Sequence, residues 1–166
     1  PLGFTIYGTS VGEQVELVRA AEAAKADWVI LQPPMVGSFA AGEYIRFFGR
    51  VADATNLPVA IQNAPAYMGR GLSAEDIRSL VAQHPNIKLV KGEGPATEIR
   101  QLIETTEGRL PVMNGRGGLE LIENLRAGCV GMILAPELID LTVAIYESFV
   151  SGDEVTAEAN YREVLP

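Results

Sequence analysis

The sequence predicts an α/β fold in which parallel strands lie inside a layer of helices. Three observations carry that expectation. Apolar runs of about five residues alternate six times with amphipathic stretches of ten or more. The runs are apolar nearly throughout rather than at every second position, as a strand covered on both faces requires. No G-x-G-x-x-G follows the first run and no G-x-x-x-x-G-K-[ST] occurs anywhere, which lowers the nucleotide-binding version of an open sheet. An open doubly wound sheet and a (β/α)8 barrel both remain, and six units are two short of a closed barrel.

The first run is Phe4-Thr5-Ile6-Tyr7, followed by a helix with Val15, Val18, Ala21 and Glu22 at helical spacing. The second covers residues 27–32 and is stopped by Pro33 and Pro34. A helix over 43–54 carries Tyr44, Phe47, Phe48 and Val51 at i, i+3, i+4, i+7. The third run, 58–62, leads into a Gly- and Pro-rich loop. Ser73 then reads as an N-cap, with Glu75 and Asp76 where the helix dipole favours negative charge. The fourth run is 87–91 with a helix over 96–106, and the fifth is 110–113 with a glycine loop and a helix over 119–127. The sixth is 129–134. Residues 136–165 read as two helices broken near Ser151-Gly152-Asp153.

Composition narrows the function classes. The 166 residues are 48% hydrophobic, enough for one sizeable core, and the net charge of −8 gives no broad attraction to nucleic acid or anionic membrane. The single cysteine, Cys129, sits in an apolar run and reads as a buried core residue; a lone thiol fits a reducing cytoplasm. No signal peptide is visible, and no apolar run approaches the roughly 20 residues of a membrane span.

In parallel α/β folds the chemistry gathers at the carboxyl ends of the strands. Lys91 closes the fourth run and points into the mouth of the sheet. Apolar surroundings strip such a lysine of water and free its amine to attack a carbonyl, giving an imine that draws electrons from the neighbouring carbons. The plainer alternative is a strand-end lysine paired with Glu93. Glu93 in turn reads as a general acid or base, as the partner that sets the state of Lys91, or as a solvated loop carboxylate. Gln62 and Asn63 supply neutral donors and acceptors suited to orienting hydroxyl or carboxylate groups. Tyr67 and Arg70 follow on the next loop, where Arg70 either holds a carboxylate or is solvated. The glycines at 115, 117 and 118 either let backbone amides approach an anion or make a tight turn. Lys88 faces away from Lys91 with a solvated tip, and His84, before Pro85, reads as a helix C-cap. No metal-ligand spacing appears, and one histidine leaves no visible Ser/His/Asp set.

The segments Ala26-Asp27-Trp28-Val29-Ile30-Leu31-Gln32-Pro33-Pro34, Tyr44 through Leu57-Pro58-Val59, Gln62-Asn63-Ala64-Pro65, Asn86-Ile87-Lys88-Leu89-Val90-Lys91 and Arg126-Ala127-Gly128-Cys129-Val130-Gly131-Met132-Ile133 carry a resemblance. In order and spacing they resemble the dihydrodipicolinate synthase and N-acetylneuraminate lyase family of class I aldolases and dehydratases, over nearly the whole chain. The resemblance implies a (β/α)8 barrel, with strands matching three to eight in residues 1–135 and the last barrel helix plus a helical extension in 136–166. It implies a cytoplasmic homo-oligomer, a homotetramer in most of the family, that needs no metal or organic cofactor and acts on a small 2-oxo acid. Lys91 matches the lysine that forms a Schiff base with pyruvate or another 2-oxo acid. Ile133 falls where the family uses a strand-eight backbone group near the substrate carboxylate, and Gly115 matches the glycine after strand seven.

The chain departs from the family pattern in three places. That pattern starts about two strands before Pro1, in a part that normally carries a Gly-Thr-Thr-Gly-Glu carboxylate-binding motif; Gly8-Thr9-Ser10 is not its equivalent. A six-strand piece would leave two sheet edges open, so the expectation is a fragment, an incompletely represented chain, or a barrel completed by a partner. The family's proton-relaying tyrosine, in Tyr-Asn-x-Pro, is Gln62 here, which passes proton transfer to Glu93, Tyr67, a water or the substrate. Gly92 separates Lys91 from Glu93. Gln-Asn-Ala-Pro with Lys-x-Glu looks more like the sugar-acid dehydratase branch, which acts on 2-keto-3-deoxy acids, than like dihydrodipicolinate synthase or a pyruvate aldolase. The rival expectation is a truncated barrel that turns nothing over.

Overall fold

In the computed structural model, which describes residues 1–134 and 136–164, the six runs form one sheet. The strands are β1 (Gly3–Ile6), β2 (Trp28–Leu31), β3 (Val59–Asn63), β4 (Ile87–Gly92), β5 (Val112–Asn114) and β6 (Gly131–Met132). They lie in chain order, and each pairs in parallel with the next. Helices return the chain between them: α1 (Val11–Ala23), α2 (Ala41–Ala52), a short α3 (Pro65–Met68) before α4 (Ala74–Gln83), α5 (Ala96–Thr105) and α6 (Leu121–Arg126). After β6, α7 (Ile139–Val150) and α8 (Glu154–Val164) form an antiparallel hairpin whose turn holds Gly152 at φ 89°. Strand order without reversal, with a helix in each return, is the connectivity of a (β/α) barrel, and the sheet is an open arc of one. No described helix is long and apolar enough to cross a membrane.

The register explains which side chains meet. Ile6, Leu31, Ile61, Val90 and Val112 form one rung across the sheet, and all five belong to the buried cluster shared with α1, α2, α4 and α5. Side chains alternate along a strand, so the next rung, with Gln32, Gln62, Lys91 and Met113, faces away from those helices. A bulge between Val59 and Ala60 advances β4 by one residue. Ile87 and Val90, three apart, can therefore both enter the helix-side core, while Lys88 is left exposed.

Local signals hold with small shifts. Ser73 caps α4 through a full capping box, its hydroxyl accepting from the Asp76 amide at 3.2 Å while Asp76 accepts from the Ser73 amide at 3.1 Å. His84 is the C-cap of α4; its ring packs over Gly49 and pairs with Asp53. Helix α1 differs from its expected face, because Gln14 is buried and Glu22 exposed. The reason is polar: the Gln14 amide donates 2.9 Å to the Gln32 carbonyl at the end of β2. The helix expected over 119–127 starts later, since Glu120 takes a left-handed φ of 56°. The sixth strand is shorter than its apolar run, because only residues opposite the three-residue β5 can join its ladder. A second core, with Leu121, Ile122, Leu125, Ile145, Ala157 and Tyr161, ties the α7–α8 hairpin to α6. The boundary expected at 135 falls on a residue outside those described.

Candidate functional site

The rung that faces away from the helices ends in polar residues at the carboxyl edge of β2, β3 and β4. Gln62 and Lys91 are register partners, so their side chains emerge side by side. Glu93, two residues beyond Lys91, returns to the same side. The Lys91 ammonium nitrogen lies 2.9 Å from Glu93 Oε1, and both side chains are largely buried, at 17% and 18% exposure. The Gln62 amide donates to the same oxygen at 2.9 Å, and the Gln32 amide donates to Gln62 Oε1 at 2.9 Å. Four side chains from three neighbouring strands and the loop after β4 thus form one continuous network. An ammonium and a carboxylate in contact, sheltered from bulk water, can exchange a proton and present an amine beside an acid.

The neighbouring loops hold this group in place. Gly115 has no side chain for a steric reason: a β-carbon there would lie 2.9 Å from Glu93 Cγ and 3.0 Å from its Oε1. Asn114, fully buried, donates to the Gly94 carbonyl at 2.9 Å and to Asn124 Oδ1 at 2.8 Å, and accepts from the Gly115 amide at 2.8 Å. One buried side chain therefore clamps the Glu93 loop against Gly115.

The other candidates fall around this centre in different ways. Asn63 points to the opposite side from Gln62, and its amide is engaged with the backbone of Leu72, donating to its carbonyl at 3.0 Å and accepting from its amide at 2.8 Å. Arg70 donates to the Pro34 carbonyl at 2.7 Å and the Met68 carbonyl at 3.0 Å, tying two strand-end loops together. Tyr67 is exposed, and its hydroxyl accepts from Arg116 Nε at 3.1 Å. Arg116 also pairs with Glu120 at 2.5 Å, and its guanidinium is pushed further toward the charged form, first by the bond to Tyr67. Ile133 is half-buried beyond β6, its amide donating 2.8 Å to the Asn114 carbonyl. Cys129 is buried behind the site, and burial pushes its thiol up to about 11.

Gln32 and Asn114 belong to the strand ends and following loops where chemistry was expected, but no role in this arrangement was read for either from the sequence. An amide closing an otherwise apolar run is the signal that could have found both.

Parallel strands whose carboxyl ends gather a paired lysine and carboxylate place the chain among the (β/α)-barrel proteins. The model of the dihydrodipicolinate synthetase family matches residues 5–166, and the chain belongs to that family. YagE from Escherichia coli K12, to which 2-dehydro-3-deoxy-D-gluconate aldolase activity is ascribed, is 29% identical over 166 residues, covering 95% of this chain and 54% of that protein. The 4-hydroxy-tetrahydrodipicolinate synthase of Haloarcula marismortui is 30% identical over 158 residues, covering 93% of this chain and 51% of that one. The crystal structure of YagE in complex with pyruvate superposes with a TM-score of 0.91 at 27% identity, over 98% of this chain and 56% of that one. The chain spans about half the length of these relatives.

Proposed function

We propose that the chain carries the Schiff-base half of a lyase site acting on a 2-oxo acid, and that the six-strand arc works as part of a (β/α)8 barrel. The observation that supports it is the Lys91–Glu93 pair, 2.9 Å apart, at the mouth of the sheet. YagE, which has been crystallised with pyruvate, and the synthase relatives support the same class of substrate.

The steps balance without a cofactor. Lys91 passes a proton to Glu93, and the freed amine attacks the C2 carbonyl to form a carbinolamine. Glu93 returns a proton to the departing hydroxyl, water leaves, and a protonated imine remains on Lys91. The Glu93 carboxylate then removes a proton from C3, and the electron pair moves into the imine to give an enamine. On a 2-keto-3-deoxy sugar acid the enamine expels the C4 hydroxyl, which leaves as water with the proton Glu93 took from C3, and water then hydrolyses the conjugated imine to free Lys91; this is the dehydratase outcome that Gln62 and the Lys91-Gly92-Glu93 spacing favour. Aldol cleavage of the same acids, suggested by the activity ascribed to YagE, passes through the same imine but a different enamine: the C4 hydroxyl gives its proton to Glu93, the C3–C4 bond breaks, an aldehyde leaves and the three-carbon enamine of pyruvate remains on Lys91. Gly115 and the backbone around Ile133 are assigned to the substrate carboxylate side, and Gln62 and Tyr67 to its hydroxyl-bearing side; Asn63, expected there as well, is instead turned away and holds the loop at Leu72. A homo-oligomer is the assembly proposed, supported by exposed Met35, Val36 and Phe39 on the β2–α2 loop, and the cytoplasm is the proposed compartment.

Borohydride trapping tests the reading. With pyruvate, or with 2-keto-3-deoxygluconate, peptide mapping is expected to find the reduced adduct on Lys91, and Lys91→Ala to abolish it. No adduct from either acid would overturn the proposal and favour an arc that folds without turnover. Release of pyruvate from the sugar acid would replace dehydration by aldol cleavage.

A further inference from the structure

We propose that Gln32 and Gln62 form an amide relay that aims the Glu93 carboxylate, so that Glu93 is the proton-carrying group and the two glutamines are its positioning residues. The inference rests on the lyase reading above and deepens it. An amide side chain has one donating end and one accepting end. The accepting end of Gln62 is occupied by the Gln32 amide at 2.9 Å, so its donating end is directed to Glu93 Oε1, also at 2.9 Å. The direction of the relay is set two strands away from Lys91, and Gln32 is itself anchored through its carbonyl by the buried amide of Gln14 at 2.9 Å.

The surroundings agree with a fixed carboxylate. Lys91 and Gln62 both meet Oε1 of Glu93, and the absence of a side chain at Gly115 leaves the space that the carboxylate fills. When Lys91 becomes a protonated imine, it keeps one N–H of three, and its hold on Glu93 weakens. The Gln62 donor then remains to hold Oε1, leaving the other oxygen to meet the C3 proton. A tyrosine at 62 would carry the proton itself; an amide cannot, but it can stabilise the ionised form of its neighbour. Lys91 is the charged side chain paired with Glu93; Glu75 on α4 and Glu98 on α5 share an outer groove with the Glu93 loop, and Arg116, next to Gly115, is paired with Glu120.

Gln32→Glu tests the relay without touching Lys91, Gln62 or Glu93. It replaces a donor by acceptors, so the Gln62 amide should turn and offer its carbonyl oxygen to Glu93. The readout is deuterium exchange into the methyl group of pyruvate, followed by NMR against pH, which reports proton removal at C3 alone. The low-pH limb is expected to move up by about one pH unit, with the borohydride adduct on Lys91 still formed. Gln32→Met, which removes the donor without adding charge, should move it less, in the same direction. An unmoved limb in folded Gln32→Glu that still forms the adduct overturns the relay and leaves the lyase reading intact. If the unsubstituted chain forms no adduct, the lyase reading fails by itself. The relay is then read from the titration of the Glu93 carboxyl carbon by NMR, where the same displacement in Gln32→Glu supports it and no displacement overturns it.

Discussion

The centre and the edge of the sheet differ more than their sequences do. Strand β1 is as apolar as β3, yet only Ile6 of β1 is buried, whereas Val59, Ala60, Ile61 and Gln62 of β3 all are. Strand β3 has a ladder partner on each side and helices over it; β1 has β2 on one side only. Phe4 is 38% exposed and Ile61 not at all. The paired lysine and carboxylate lie in the part of the sheet where side chains are held from both sides. Polar groups there can be kept in one geometry because every neighbour is fixed.

Substitutions can break or sharpen this contrast. The largest effect is expected at the centre: Ile61→Ala should cost about 3 kcal/mol through lost burial and the cavity left behind. Phe4→Ala at the edge should cost less than about 1 kcal/mol, because half-exposed surface is returned to water. Urea denaturation of the two variants checks the pair, and equal losses would mean that β1 is covered in solution. Next comes Asn124→Ala, which strips the Asn114 amide of a 2.8 Å partner in a buried network; about 2 kcal/mol is expected. Because Asn114 also clamps the Glu93 loop, the variant should slow pyruvate exchange as well. Ser73→Ala, at the exposed start of α4, should cost about 1 kcal/mol with exchange unchanged, since it removes only a cap.

The smallest effect at neutral pH concerns Cys129. Burial raises its thiol from 9.0 to about 11 in the folded protein. The folded chain therefore holds a proton that the unfolded chain gives up earlier. The stability contributed by the neutral thiol is complete below pH 9 and is lost as pH rises toward 11. Denaturation midpoints should fall across that window, and Cys129→Ala should flatten the fall.

Much of the fold was legible because it is periodic. Runs of Val, Ile and Leu separated by i, i+3, i+4 patterns indicated six strand–helix units, and the Ser73 cap and Gly152 break lie where their chemistry places them. Lys91 stood out because a cation at the end of an apolar run is costly without a purpose. Gln14, Gln32 and Asn114 were not legible in the same way. Each is one polar residue among many, and its role comes from a partner 10 to 20 residues away. For Gln32 the side-chain partner is 30 residues distant. Asn63 shows the converse, since its neighbour Gln62 faces the site while its own amide closes the loop to Leu72.

The sequence by itself determined the alternation of strand and helix, the family, and the lysine at the end of the fourth strand, because hydrophobic period and local capping act between residues near in the chain. The tertiary structure alone decided that Gln32, Gln62, Glu93 and Lys91 form one line of contacts, and that Gly115 makes room for it. Those facts depend on the register between strands and on a single bulge at Lys88, and register is set by packing across the whole sheet rather than by any one segment.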